Sequence, residues 1–398
     1  MRRTLPWLAA LTLGSLLVTS AAAGTKTRHA GTGKHSHKTT TSGSGRTPSS
    51  GPGTTTTSAP AASPSPSPVP TSGSSVSTLK PPIIGLTDRS HMPSSGYRGA
   101  VPTWVVSTTW ASMQPTPDGP LAANNDVDQA IALARQAGMR LRLRIRAGIN
   151  APDWVKSLGG APVQVCDGNS GSMICGTVGR FWTQPYADAY RDLQTKLAAA
   201  YDGVPEVAEV SVTMAQTVWA EPYLRQISTG GWDALAKIGF TRAGDDWAHA
   251  EEMDIHRDVW RSTRSELAFN PYHYETYVNG VRRVTSDMPY TVAQIQRFRS
   301  ELGPLAVVAN HSIENVSRGT EYDEMYAAIK AVGQPISFQT ATLGKMSRDG
   351  ATLSATLAWA VEHGAEAVEL PSGYTDTSVI SLSGLANWDT SLRAAWSG

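Results

Sequence analysis

The chain has 398 residues, with 34 lysines and arginines against 33 acidic residues, a formal net charge of +1 and 40% hydrophobic residues. Such a balance gives no electrostatic footing for nucleic acid or an anionic membrane surface as partner. There is no Gly-x-Ser-x-Gly elbow, Walker loop or dinucleotide fingerprint, so serine esterases, P-loop enzymes and nicotinamide enzymes lack their signatures and no cofactor is expected.

The first 23 residues open on Arg2 and Arg3, run through the apolar "LPWLAALTLGSLLV" and end in "TSAAA", where Ala21 and Ala23 suit a small-residue cleavage site. This predicts a signal peptide over residues 1–23, read as general secretion because the fuller twin-arginine motif is missing. No later stretch is long and apolar enough to span a bilayer, so the expected product is secreted, released or held at the cell wall, without membrane insertion. Residues 24–79 are almost entirely Ser, Thr, Gly, Pro and Ala, too poor in apolar surface to offset the entropy of ordering them. A disordered linker is expected there. His29, His35 and His37 belong to its solvated basic part rather than to a metal tract.

From residue 80 to 398, short apolar or β-branched runs alternate with amphipathic helical stretches. In chain order the strands read "IIGLT" (83–87), "TWVVSTT" (103–109), "RLRLRI" (140–145), "VAEVSVT" (207–213), "ELAFN" (266–270), "LAVVAN" (305–310), "ISFQT" (336–340) and "AEAVEL" (365–370). Helices are expected in "NNDVDQAIALARQAG", "YADAYRDLQTKLAAAY", "TVAQIQRFRSELG", "EYDEMYAAIKAVG" and "TLSATLAWAVEHG", most of them stopped by glycine. Eight such units predict an α/β fold, a (β/α)8 TIM barrel. The first unit has no good helix, so a doubly wound open sheet is the alternative. Cys166 and Cys175 flank "DGNSGSMI" and, in an exported chain, read as a disulfide closing a small loop, worth roughly 2–3 kcal/mol.

Strand alternation places small or polar residues inside: Ser337 and Gln339 inward against Ile336 and Phe338, Asn270 inward against Leu267 and Phe269. In the third strand Arg142 and Arg144 alternate with leucines. If the leucines meet the helices, the guanidiniums enter the barrel and need carboxylate or carbonyl partners there.

Barrel enzymes build their sites at the C-terminal ends of the strands. Those ends offer Trp154 after strand three, Gln216, Trp219, Glu221 and Tyr223 after strand four, and Asn270, Tyr272 and His273 after strand five. Asn310 and His311 end strand six, Gln339 strand seven and Glu369 strand eight. Aromatic faces stack on sugar rings and amides fork onto hydroxyls, so the set suits a carbohydrate site. The histidines lack carboxylates at metal-ligand spacing, and no metal is expected.

The stretch "WVVSTTWASMQPTPDGPL…DVDQAIALARQAGMRLRLRI…G…APDWV", followed by "EVAEVSVTMAQTVWAEP", resembles retaining (β/α)8 glycosidases of the β-galactosidase and cellulase-like superfamily. That resemblance implies the acid/base role for Glu221. Two positions depart from the pattern: Ala220 precedes Glu221 where the superfamily has Asn-Glu, and strand seven ends in Gln339 where its nucleophile is a glutamate. The sugar's 2-hydroxyl would then be held by Gln216 or Asn270. The second carboxylate falls to Glu369, kept ionised by Arg144, or to a loop acid such as Glu275; Glu369 is otherwise the counter-ion of Arg142 or Arg144. The expected function is a glycoside hydrolase cleaving O-glycosidic bonds in a polysaccharide or oligosaccharide with two carboxylates. A non-catalytic carbohydrate-binding barrel is the alternative.

Overall fold

The computed structural model describes residues 78–167, 173–222, 227–279 and 281–397. The expected signal peptide, nearly all of the expected linker and Tyr223 lie outside the described residues. Twelve strands follow in chain order: β1 (Gly85–Asp88), β2 (Thr103–Thr109), β3 (Arg140–Arg146), β4 (Val163–Asp167), β5 (Ile174–Val178), β6 (Val207–Ser211), β7 (Arg264–Ala268), β8 (His273–Val278), β9 (Val281–Ser286), β10 (Ala306–Ile313), β11 (Ile336–Thr340) and β12 (Ala367–Leu370). Eight of them close a parallel barrel in the order β1-β12-β11-β10-β7-β6-β3-β2. β1 pairs with β12 on one side and β2 on the other, although turns rather than a helix connect β1 to β2. Closure excludes the open sheet.

The remaining four strands make two antiparallel hairpins. The first, β4–β5, follows β3 and carries the Cys166–Cys175 disulfide. The second, β8–β9, follows β7 and was not foreseen, because its run of tyrosines and threonines reads as loop after "NPY".

Alternation along the barrel strands sorts the core. Leu141, Leu143 and Val210 face outward and pack with Trp110, Tyr186, Tyr190 and Leu197. Leu267, Phe338 and Val368 do the same on the other flank, against Phe298, Tyr326 and Leu357. Helix ends follow local chemistry: Asn125 accepts from the Val127 and Asp128 amides at the start of the helix Asp126–Ala137, and Gly138, at φ 64°, ends it in the left-handed region. At the N-terminal mouth the interior is apolar, with Ile83, Ala208 and Ala367 in one cluster. Lys80 lies across that end, its ammonium donating to Val204 O (2.7 Å), Val207 O (2.8 Å) and Thr263 Oγ1 (2.9 Å). Among the described residues, no helix is long and apolar enough to cross a membrane.

The helix Arg242–Val259 is fastened to the barrel by His256, whose ring bonds Tyr190 Oη (2.9 Å) through Nε2 and Ser265 Oγ (2.9 Å) through Nδ1. Burial pushes this imidazole down from 6.5 to about 3. Its folded pKa is below the unfolded one, so the stability it contributes is present above pH 6.5 and lost as the pH falls toward 3. Urea-unfolding midpoints should therefore decline on acidification through that window, and His256→Asn should flatten the decline while lowering stability at neutral pH. Parallel pH profiles for the two proteins would refute this account.

Candidate active site

The floor of the C-terminal mouth is charged. Arg142 donates to Glu209 Oε2 through Nε (2.9 Å) and Nη2 (2.5 Å), to Glu369 Oε1 through Nη1 (2.6 Å) and to Ser337 Oγ (2.8 Å). Arg144, one layer higher, donates to Glu369 Oε1 (2.6 Å) and Oε2 (3.1 Å) and to Gln339 Oε1 (3.4 Å). Glu266 accepts from Ser211 Oγ (2.5 Å) and from His311 Nε2 (3.0 Å). A one-residue shift in register makes this possible: Leu141 pairs with Val207 but Arg142 pairs with Glu209. The bulge re-aims Glu209 toward the guanidinium.

Burial alone would raise the pKa of Glu266 and Glu369, but the guanidiniums of Arg142 and Arg144 and the ring of His311 hold both below the usual carboxylate range. Burial likewise opposes charge on Arg142, and Glu209, Glu266 and Glu369 outweigh it, raising its pKa. Glu266, His311 and Glu369 each bring one ligand atom within 4.8 Å of the others, a spacing that could serve a metal ion. The same oxygens already accept from Arg142, Arg144 and His311, so the donor set does not fit one.

Above the floor, the segment from Met214 to Glu221 is anchored from two sides. Gln216 Oε1 accepts from the Ala147 amide (2.6 Å), and Thr217 O accepts from the Ile149 amide (2.9 Å). Gly148, at φ 55°, lies so close that a Cβ there would collide with Thr217 O. From behind, Glu252 Oε2 accepts from the Ala215 amide (3.0 Å), while Glu252 Oε1 meets His249 Nδ1 (2.9 Å) and Asp245 stands 3.7 Å from His249 Nε2. Burial would lower the His249 pKa; Asp245 and Glu252 hold it above the usual value.

The mouth encloses a cavity of about 750 Å³, within the size range of ligand sites. Of the expected residues, Arg144, Trp219, Glu221, Asn270, His311 and Gln339 line it. Glu221 keeps a fifth of its side chain exposed and places Oε1 3.7 Å from His311 Nδ1, and Trp219, two residues earlier, is 37% exposed. His311 thus stands between Glu221 and Glu266.

The other expected residues fall elsewhere. Glu369 is fully buried below the cavity, both oxygens committed to arginines, which gives it the place of a counter-ion rather than of a nucleophile. Gln216 is buried under the segment it anchors. Asn310 is buried between Phe269 O (2.6 Å), Asn270 Oδ1 (3.3 Å) and Tyr326 Oη (3.0 Å), and so orients Asn270 without reaching the cavity. Tyr272 packs on Tyr290 at 4.4 Å, and His273, in β8, meets Ser286 Oγ at 3.1 Å. Trp154 packs edge-on against Trp110 in a separate shallow groove. Glu275 lies in β8, with its side chain outside the described residues.

The charged lining residues that were missed are Arg89, Arg146, Asp167, Arg318, Lys345 and Arg348. Arg89 and Arg146 follow or end barrel strands, so the rule applied to the other strand ends would have found them. Asp167 adjoins Cys166 in the hairpin, where the cysteine drew the reading.

No protein-family model and no curated protein matches the sequence. Solved structures similar to this chain include (β/α)8 glycosidases. They include an endo-glycoceramidase II from Rhodococcus sp., 14% identical over 78% of this chain and 80% of that one, with a TM-score of 0.44. Another is a triple mutant of an endo-β-1,4-glucanase from Xanthomonas axonopodis pv. citri, 12% identical over 73% and 87% of the two chains, with a TM-score of 0.40. A glycosylated endo-β-1,4-xylanase from Gloeophyllum trabeum is 11% identical over 78% and 99%, with a TM-score of 0.44. At these identities no residue role passes from them to this chain.

The charged floor generates a stability prediction. Arg142→Met leaves Arg144 alone against three buried carboxylates and should cost on the order of 3–5 kcal/mol at pH 7. The depressed carboxylates contribute stability that is present above pH 4.5 and lost as the pH falls through their folded values. The deficit of the variant should therefore narrow in acid. Urea unfolding at pH 7 and pH 4 checks this; a deficit that grows in acid would count against it.

Proposed function

We propose that the chain is a secreted glycoside hydrolase that cleaves an O-glycosidic bond in a polysaccharide or oligosaccharide, with its N-terminal linker as a spacer able to associate with the cell wall. One observation carries the reading: among the described residues, the two carboxylates lining the mouth cavity are Glu221 and Asp167, with the partly exposed Trp219 lining it too. A ring face for stacking and two acids at one cavity are the requirements of glycoside hydrolysis. The backbone of Asp167 bridges Ile227, a few residues beyond Glu221, so the disulfide hairpin and the β6 loop both reach the same cavity with an acid.

In this reading Glu221 gives its proton to the leaving glycosidic oxygen as the bond to the anomeric carbon breaks. Water attacks that carbon and passes a proton to Asp167. Glu369 takes no part in bond making. Its charge holds Arg144 in place under the sugar, and Asn270 and Gln339 offer amides to hydroxyls.

The test is release of sugar from a panel of aryl glycosides and polysaccharides by residues 80–398. Glu221→Gln should lower turnover about 10²–10⁴-fold on substrates with poor leaving groups, and less on activated aryl glycosides that need no acid. Asp167→Asn should lower turnover on both. Unchanged thermal unfolding would separate chemistry from folding. Full activity in both variants sinks the assignment. Retained glycan binding by a wild-type chain that releases nothing would instead make this a carbohydrate-binding barrel, the reading that an amide at Gln339 favours.

A further inference from the structure

The cavity is far more cationic than the chain. Arg89, Arg144, Arg146, Arg318, Lys345 and Arg348 line it against Asp167 and Glu221. Three of the six are neutralised: Arg144 by Glu369, Lys345 by Glu314 (2.5 Å) and Asp349 (2.8 Å), and Arg348 by Asp349 (2.9 Å). The other three meet no carboxylate within ion-pair distance among the described residues.

Arg89 is held by neutral acceptors alone, Leu370 O (2.7 Å), Thr340 Oγ1 (3.2 Å) and Ala341 O (3.2 Å), which occupy Nε and Nη2. Its pKa is lowered, chiefly by burial. Arg318 stacks on the Tyr322 ring at 3.9 Å and donates only to Ser312 O (3.2 Å). Arg146 has no hydrogen-bond acceptor among the described residues; its Nε is buried without one, and burial followed by Arg144 lowers its pKa. Holding three partly desolvated guanidiniums without counter-ions is costly unless an anion joins them. Arg89 touches the end of β11 and Arg318 the end of β10, whereas Glu221 follows β6. Arg89 and Arg318 therefore stand toward the seventh-strand side, whereas Arg146 ends β3, which pairs with β6 and leads into the hairpin of Asp167.

Resting on the carbohydrate reading above, we propose that the cavity selects a saccharide carrying oxyanion groups, carboxylates or sulfates, for which Arg89, Arg146 and Arg318 are the docking cations around its wall. Guanidiniums fork onto such groups with charge-assisted bonds and make little of a neutral hydroxyl by comparison. The bulk charge of +1 hides this concentration.

Calorimetric titration of residues 80–398 with an oligogalacturonate, a sulfated galacto-oligosaccharide and a neutral galacto-oligosaccharide of the same length tests it. The expected result is at least about tenfold tighter binding of one or both charged probes than of the neutral one, weakening as salt rises. Which probe wins identifies the group. Arg146→Gln and Arg318→Gln, which remove few protein contacts, should each erode the preference about tenfold while leaving the unfolding midpoint in place; Arg89→Gln is the riskier variant because three bonds go with it. Equal affinity for charged and neutral probes, or a preference untouched by salt and by both substitutions, overturns the proposal. A charged saccharide bound but never cleaved leaves it standing and removes the hydrolase reading. Neutral glycosides cleaved and bound as well as charged ones do the reverse.

Discussion

Two guanidiniums inside a closed barrel are the constraint around which this structure is arranged. Arg142 and Arg144 sit where barrels ordinarily pack aliphatic layers, and each must find acceptors on several strands at once. Arg142 reaches β6, β11 and β12 through Glu209, Ser337 and Glu369; Arg144 reaches β11 and β12 through Gln339 and Glu369; His311 ties β10 to β7 through Glu266. Buried ion pairs of this kind add little net stability over a well-packed apolar interior. Their leverage lies elsewhere. A strand slipped by one residue would leave a buried carboxylate or guanidinium without a partner. The bulge at Ala208 fits this demand, since without the extra residue Arg142 would lie opposite an alanine.

Filling the interior with charge has a consequence for chemistry. A carboxylate that neutralises an arginine under a sealed floor is unable to shuttle protons to a ligand above it. Glu209, Glu266 and Glu369 are all in that position, and the carboxylates that line the cavity, Asp167 and Glu221, come from outside the barrel strands. Loops make poor platforms unless tied down. Here the Met214 to Glu221 segment is tied by Gln216 to Ala147, by Thr217 to Ile149 and by Ala215 to Glu252, and the β4–β5 hairpin by its disulfide.

Much of the barrel was legible because parallel strands buried on both faces write themselves as short apolar runs, and because "RLRLRI" announces its own inward guanidiniums. "TWVVSTT" and "ISFQT" are strands to the residue. The partners of those guanidiniums were not legible in full. Glu369 could be read as counter-ion or catalyst, since a strand-end glutamate looks alike in both roles until its distance from the solvent is known. Glu209 and Glu266 went unassigned although alternation places Glu266 on the inward face with Asn270, because both lie within their strands rather than at the C-terminal ends where site residues were sought. Asn310, Tyr272 and His273 looked like rim residues for the same reason: sequence gives the strand end, and only packing tells whether the side chain turns into the cavity or behind it. Cys166 and Cys175 declared their pairing by spacing, yet the spacing said nothing about the aspartate that the hairpin carries to the cavity wall.

Charge was the feature that sequence totals concealed most. A sum near zero describes attraction at distances beyond a Debye length, about 10 Å at 0.1 M salt, and says nothing of charge gathered at one place. Inside a cavity the relevant sum runs over lining residues alone, and low-dielectric walls sharpen whatever remains. Arg89 and Arg318 come from the loops after β1 and β10 and Arg146 from the end of β3, scattered across 230 positions of sequence, and no window along the chain registers them as a cluster. Closure of the barrel is what assembles them. The same closure pairs Arg142 and Arg144 with carboxylates below and leaves the rim cations without any, so one topological fact produces a neutralised floor and a cationic mouth together.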